Sequence, residues 1–258
     1  MLTANRPSLN EYGIDYPEIG IKGFEAHFGI YHELLDNQTS PTFLKALAVH
    51  QEAPIKVFSC ETFWLLSADQ LAGFAQHLEP SETEAILYLR SPWSYLPSSY
   101  RQMIKHDGLA CGIGEYCESI VQRLDYPALI KRWSRVVPIK VRLYETSKHN
   151  LTADFCRTAN IPSEAIRTIP GLINKTPSEG AHRMMRWVNR GLPPQVGRRV
   201  RKLLVRCEQG LKFMPRMDDR AACSTIQTAI AQWDTGVLAR YLSAEQIDIL
   251  RSPSASRS

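Results

Sequence analysis

Hydrophobic positions in this chain follow two periods, and the clearest change from one to the other falls between Ala85 and Ile104. Ala85 to Leu89 is an unbroken apolar run, too short for a helix and bounded by charge and proline, which reads as a strand buried on both faces. Arg90 closes it, Ser91-Pro92 breaks the backbone, and Trp93, Leu96, Tyr100, Met103 and Ile104 then recur at helical spacing. The unit is strand, tight turn, helix. Ile55 to Ser59 reads as a second buried strand ending in Cys60-Glu61, and Ile139, Val141 and Leu143, alternating with Lys140, Arg142 and Tyr144, as a third strand near a sheet edge. Between them the pattern predicts helices over 2–12, with Gly13 as a stop, near 26–35, and from Ser40 with Pro41 in its first turn to about 51. A helix capped by Ser67 and Gln70 follows, then one capped by Asp125 and ended by Pro138, and another over 151–159. Strands alternating with helices predict an α/β fold, a parallel sheet flanked by helices.

Beyond Ile161 no strand is legible. A helix opens at Ser178 and carries Met184, Met185, Trp187 and Val188, which read as core or docking surface. A strongly basic helix runs from Pro193-Pro194 to about Cys207; shorter ones cover 222–233 and 243–250. The expected division is an α/β core over 1–160, a helical C-terminal part over 161–250 packed on it, and a disordered tail over 251–258.

Length and composition narrow this little further. The 258 residues, 44% hydrophobic and 22% charged, fit a folded globular chain. No apolar run reaches the ~18 residues of a membrane helix, and no basic-then-apolar leader opens the chain, so a cytoplasmic location is expected. Six cysteines without CxxC pairs read as free thiols, with Cys60 of interest at a strand end. Gly112-Ile113-Gly114 lacks the third glycine and the preceding strand of a dinucleotide fingerprint. The net charge of +5 is concentrated: 181–220 holds eleven Lys/Arg against three acids. Such a block can meet nucleic acid, an anionic membrane surface or a sulfated substrate; a solvated helix face is the plainer reading.

Arg90 falls at the carboxyl end of a strand, where open α/β sheets bind ligands. Its planar fork suits an anion, and Ser98, early in the next helix, can add a hydroxyl donor to make a phosphate clamp. Pairing of Arg90 with a carboxylate, and Ser98 as an ordinary surface serine, is the alternative. Leu89-Arg90-Ser91-Pro92 followed by Ser98-Ser99-Tyr100-Arg101-Gln102 and Lys105 resembles the 3′-phosphate-binding segment of the sulfotransferase family, most closely its bacterial sulfotransferase-like members. The resemblance continues upstream through Leu2 to Arg6, Gly13 to Pro17, Ala26-His27 and Phe58 to Glu61. Downstream it runs through Tyr126 to Trp133, Val141 to Tyr144, Ala153 to Phe155, Asn174 to Asn189 and Leu238 to Leu242. Each piece is short; their order is specific.

The resemblance implies a P-loop-type sulfotransferase fold and sulfuryl transfer from PAPS (3′-phosphoadenosine 5′-phosphosulfate) to a hydroxyl or amine acceptor, leaving PAP (3′,5′-adenosine bisphosphate) and requiring no metal. Arg90 and Ser98 would hold the 3′-phosphate. Glu61, at a strand end, and His27, where the family places substrate-side groups, are the candidate bases, with Glu61 favoured; Tyr16, Lys22, Tyr100 and Lys105 are second-rank cleft residues. One departure stands out: no Lys-Thr-Gly-Thr-Thr type loop for the 5′-phosphosulfate occurs, and Met1 to Arg6 resembles the helix that normally follows it. The expectation is therefore an N-terminus lacking one strand and its loop, through a misplaced start or degeneration, with a strand edge left unpaired. One lost oxyanion donor alone costs about two to three orders of magnitude in rate, so activity is expected to be impaired. The rivals are a noncatalytic 3′-phosphoadenosine-binding or interaction protein with this fold, and nucleic-acid binding through the basic helices, the less favoured of the two. A nucleotide-sugar transferase would need an Asp-x-Asp metal motif, which is absent.

Overall fold

In the computed structural model, residues 1–23, 25–36, 39–167, 179–206 and 220–253 are described. Helices α1 (Arg6–Glu11), α2 (Phe28–Asp36), α3 (Pro41–Ala48), α4 (Ala68–Ala75), α5 (Pro92–His106), α6 (Ile113–Ile120) and α7 (Tyr126–Trp133) occupy the first half. They are followed by α8 (Tyr144–Ser147), α9 (Leu151–Thr158), α10 (Glu179–Gly191), α11 (Pro194–Arg206), α12 (Arg220–Ala231), α13 (Thr235–Leu238) and α14 (Ala244–Arg251). Strands β1 (Ile14–Asp15), β2 (Ile55–Lys56), β3 (Ala85–Leu89) and β4 (Ile139–Leu143) form two separate parallel pairs, β1–β2 and β3–β4. The chain is thus α/β, with small parallel sheets flanked by helices. Among the described residues no strand follows Ile161, and no helix is long and apolar enough to cross a membrane.

The contacts divide the chain into two compact units that interleave in sequence. One comprises 1–89, 127–171 and 240–242; the other comprises 90–126, 172–239 and 243–258. Within the second unit α5 packs with α6, α10, α12 and α14.

In the first unit, β3 and β4 pair over their whole length, Ala85 opposite Ile139 through Leu89 opposite Leu143. The alternation read in β4 holds, with Val141 and Leu143 buried and Lys140 and Arg142 half-buried. β3 does not become the fully buried strand expected: only Leu89 is buried, and Ala85 to Tyr88 are half-buried. β2 is likewise shorter and more exposed than the strand read over 55–59, and it pairs with β1, a two-residue strand too short to carry a period. Gly13 lies at φ +72°, a conformation only glycine takes without strain, and turns the chain from α1 into β1. Lys56 Nζ then reaches the buried Asp15 carboxylate across the pair, at 3.2 Å. Leu2, Leu9, Ile14, Tyr16, Cys156, Ile161 and Ala165 form one buried core of this unit; Phe43, Phe58 and Phe74 interlock beside α3 and α4. Pro41 follows the Ser40 cap of α3, and Ser67 and Gln70 close the expected capping box on α4.

In the second unit α5 is the hub. Its buried stripe is Pro92, Leu96, Tyr100 and Ile104, the helical spacing read from the sequence. Tyr100 packs against Tyr116 of α6, whose hydroxyl lies 2.7 Å from Ser99 Oγ, and Gly114 lets α12 approach to van der Waals contact. The helix expected to open at Ser178 begins, within the described residues, at Glu179; Ser178, Cys207 and the tail beyond 253 lie outside them.

Candidate functional site

Leu89 ends β3 and the chain passes through Arg90 and Ser91 into α5, with Pro92 at its first position. Arg90 folds back along this opening turn: Nε donates to Ser94 Oγ at 3.0 Å and Nη2 to Ser94 O at 3.2 Å, while Tyr126 Oη donates to Arg90 O. Backbone and guanidinium are therefore both fixed. Ser94 and Ser98 are four residues apart, one turn along the same helix face, and Arg101 continues that face. Both serines and both arginines are half-buried. Ser94 Oγ in turn donates to Ser91 O at 3.2 Å, so its hydroxyl is spent within the turn, and Ser98 and Arg101 follow on the same helix face. Ser94 is the member that sequence reasoning missed, although its spacing to Ser98 carried the signal.

Glu61 and His27, the two candidate bases, belong to the other compact unit. His27 is completely buried and sits just before α2. Nε2 lies 3.0 Å from Pro17 O, which only accepts, and Nδ1 lies 3.1 Å from Ser59 N, which only donates, with Ser59 O slightly further at 3.3 Å. That pairing sets a neutral ring protonated on Nε2. Tyr16 packs edge-on at 4.8 Å and Phe58 at 5.2 Å. Burial, opposed in part by the two backbone contacts, pushes the pKa of His27 below its ordinary value. Both nitrogens are spent on the backbone, so the ring ties the 16–17 and 58–59 segments together and has no lone pair left for an acceptor proton.

Glu61 is exposed in the turn after Ser59 and makes no hydrogen bond or ion pair among the described residues. Cys60 beside it is half-buried with Sγ 3.2 Å from Thr62 Oγ1; burial raises its pKa, so it stays a thiol and not a nucleophilic thiolate. Tyr16 donates to Glu25 O at 2.9 Å, and burial lifts its pKa to about 12. Tyr100 Oη is likewise committed, to Cys111 O. Lys105 is half-buried near the end of α5, and Lys22 is exposed, its backbone bridged to Ala26.

A second polar cluster escaped the sequence reading. Tyr88 and Arg142 face each other across β3 and β4 and converge on the buried Asp154 of α9. Tyr88 Oη donates to Asp154 Oδ2 at 2.7 Å and Arg142 Nε to the same oxygen at 3.1 Å, with Arg142 Nη2 on Oδ1. The hydrogen bonds from Arg142, ahead of that from Tyr88, hold Asp154 at about 2. A carboxylate so fully satisfied is a structural tie between sheet and helix. Among the described residues no group of three His, Cys, Asp or Glu side chains is placed to hold a metal ion. No family model, curated protein or solved structure matches the chain.

Proposed function

We propose that this chain is a sulfotransferase-like protein that binds a 3′-phosphoadenosine nucleotide through the opening turn of α5, with sulfuryl transfer from PAPS to a hydroxyl or amine acceptor as the corresponding reaction. The observation that carries the reading is the seating of Arg90 against Ser94, one turn before Ser98, at the carboxyl end of a parallel strand. A terminal phosphate there would take the Arg90 guanidinium over from Ser94, with the Ser98 hydroxyl as a second donor, both charge-assisted. Glu61 is the remaining candidate for the base that accepts the proton of the acceptor group, since the nitrogens of His27 are engaged by Pro17 and Ser59. The same engagement favours a noncatalytic nucleotide-binding protein as the second reading.

No Lys-Thr-Gly-Thr-Thr sequence occurs in the 258 residues, so binding is the property to test before transfer. The experiment is calorimetric titration of the chain with 3′,5′-adenosine bisphosphate, alongside Arg90→Ala and Ser98→Ala. Losing one charge-assisted contact of about 1.5–3 kcal/mol should weaken affinity about 10- to 100-fold. Binding lost in both variants, with their circular dichroism melts unchanged, supports the clamp; no binding by the folded parent, or equal binding by all three, removes it. Consumption of PAPS by a chain that binds PAP then separates the enzyme from the noncatalytic reading.

A further inference from the structure

The hairpin of α10 and α11 is attached to α5 by side chains rather than by an apolar seam alone. Asn189 Nδ2 donates to Ile104 O and Leu109 O at 3.1 and 2.9 Å, and the buried Arg201 donates from Nε to Lys105 O at 3.0 Å and from Nη1 to Asn189 Oδ1 at 2.7 Å. These bonds fix which way each helix faces. Trp187 lies two residues before Asn189 and Leu203 two residues after Arg201, each about 200° round its helix from the side that grips α5. Val196, five residues before Arg201, falls about 140° away, on that same outward side. The outer face of the hairpin therefore carries Trp187, Val196 and Leu203 together, with Leu192 at the connection.

These side chains are open to solvent: Trp187 is 75% exposed and Leu203 57%. The other exposed large apolar side chains among the described residues, six of the ten, all belong to the first unit, spread from Tyr12 to Leu151; in the second unit all four fall within seventeen positions on this hairpin. In sequence the segment is basic: residues 179–206 hold eight Lys/Arg and a single acid, Glu179, an excess of +7 that exceeds the +5 of the whole chain, although Arg201 is spent on α5 and Arg186 lies over the Tyr100 ring. Arg190, Arg198 and Arg199 are exposed, and the Nε of Arg190 meets only the backbone oxygen of Ala110, which leaves its charge uncompensated by that contact.

An outward apolar strip centred on tryptophan and rimmed by arginine is what lies flat in a bilayer interface. Nucleic acid would use the arginines and leave Val196 and Leu203 in water; a solvated helix face would not place Trp187 and Leu203 outward. We propose that the outer face of the α10–α11 hairpin docks peripherally on an anionic lipid bilayer, with Trp187 and Leu203 entering the headgroup region and the arginines meeting lipid phosphates. This is a surface contact, independent of the nucleotide clamp on α5.

The test uses the full chain and vesicles of phosphatidylcholine with or without phosphatidylglycerol, read by co-sedimentation and by quenching of tryptophan emission with a lipid-borne quencher. The chain should sediment with the anionic vesicles at low salt and release as salt rises, with little binding to phosphatidylcholine alone. Trp187→Ser with Leu203→Ser, both exposed and so neutral to folding, should weaken binding about tenfold or more and abolish most of the quenching. Arg198→Glu with Arg199→Glu should weaken it at least fivefold per residue. No sedimentation with anionic vesicles would overturn the proposal, as would binding unchanged by the Trp187/Leu203 pair. Tight binding to single- or double-stranded nucleic acid that the same pair leaves intact, and that displaces the vesicles, would assign the face to nucleic acid instead.

Discussion

Asp154 and His27 are both buried and both titratable, and they push stability in the same direction by opposite routes. Asp154 is held ionised, its pKa lowered from 3.8 to about 2 by the Arg142 fork first and Tyr88 second. Its stabilising contribution is complete above about pH 4 and is lost as pH falls through 4 toward 2, because only the unfolded chain gains the proton there. Tyr88→Phe removes one hydrogen bond to this charge and should cost about 1.5–3 kcal/mol in urea unfolding at pH 7. A cost near zero would show that Tyr88 is carried by packing alone. His27 is held neutral: burial first, against its two backbone contacts, lowers its pKa from 6.5. The unfolded chain takes up a proton below about pH 6.5 while the folded ring does not, so stability falls with pH from there downward. Unfolding midpoints at pH 7.5 and 5.5 should differ for the parent and less for His27→Gln. An equal difference in both would place the titration elsewhere.

Among the elements, those that announce their own ends were legible and those defined by partners were not. Ser67 with Gln70, Pro41 after Ser40 and Pro92 after Ser91 marked three helix starts correctly, because capping is a matter of four adjacent residues. Ser243 with Gln246 closes the same box on α14, and Ser243→Ala should lower stability by about 1 kcal/mol in chemical denaturation; no change would mean that α14 does not report on folding. β1 is two residues long and exists only because β2 runs beside it, so no period could reveal it. β3 was read as buried on both faces because an apolar run specifies hydrophobicity but not what will pack on each face of the strand. The candidate site divides likewise. The positions of Arg90 at the end of β3 and of Ser98 in α5 were legible from the apolar pattern, whereas the capture of both His27 nitrogens by Pro17 and Ser59 depends on loops that meet only in the folded chain. Attachment of the hairpin was equally hidden, since Asn189 and Arg201 act on carbonyls about 80 to 100 residues away. Arg201→Ala strips Lys105 O and Asn189 Oδ1 of their donor in a buried place and should destabilise by about 1–3 kcal/mol. Gly108, at φ +76° with Arg201 Nη1 at 3.1 Å from where a Cβ would sit, is needed for the same contact, and Gly108→Ala should lower stability as well.

For the molecule as a whole, two anion-binding readings fall in one compact unit, and they must be told apart by position rather than by affinity. The opening turn of α5 offers few donors, Arg90 fixed on Ser94 and Ser98 one turn on; the α10–α11 hairpin offers many positive charges along two helices. A small doubly phosphorylated nucleotide should prefer the first, because a fork and a hydroxyl at fixed separation recognise one phosphate and diffuse charge does not. Amide hydrogen exchange separates them: with 3′,5′-adenosine bisphosphate, protection should appear over residues 90–98, leave 179–206 and the β1–β2 pair unchanged, and vanish in Arg90→Ala. Protection spread over 179–206 that disappears with salt and survives Arg90→Ala would mean that the nucleotide reads only the basic surface. The clamp on α5 would then be lost as a site, while the bilayer contact of the hairpin would stand or fall by Trp187 and Leu203.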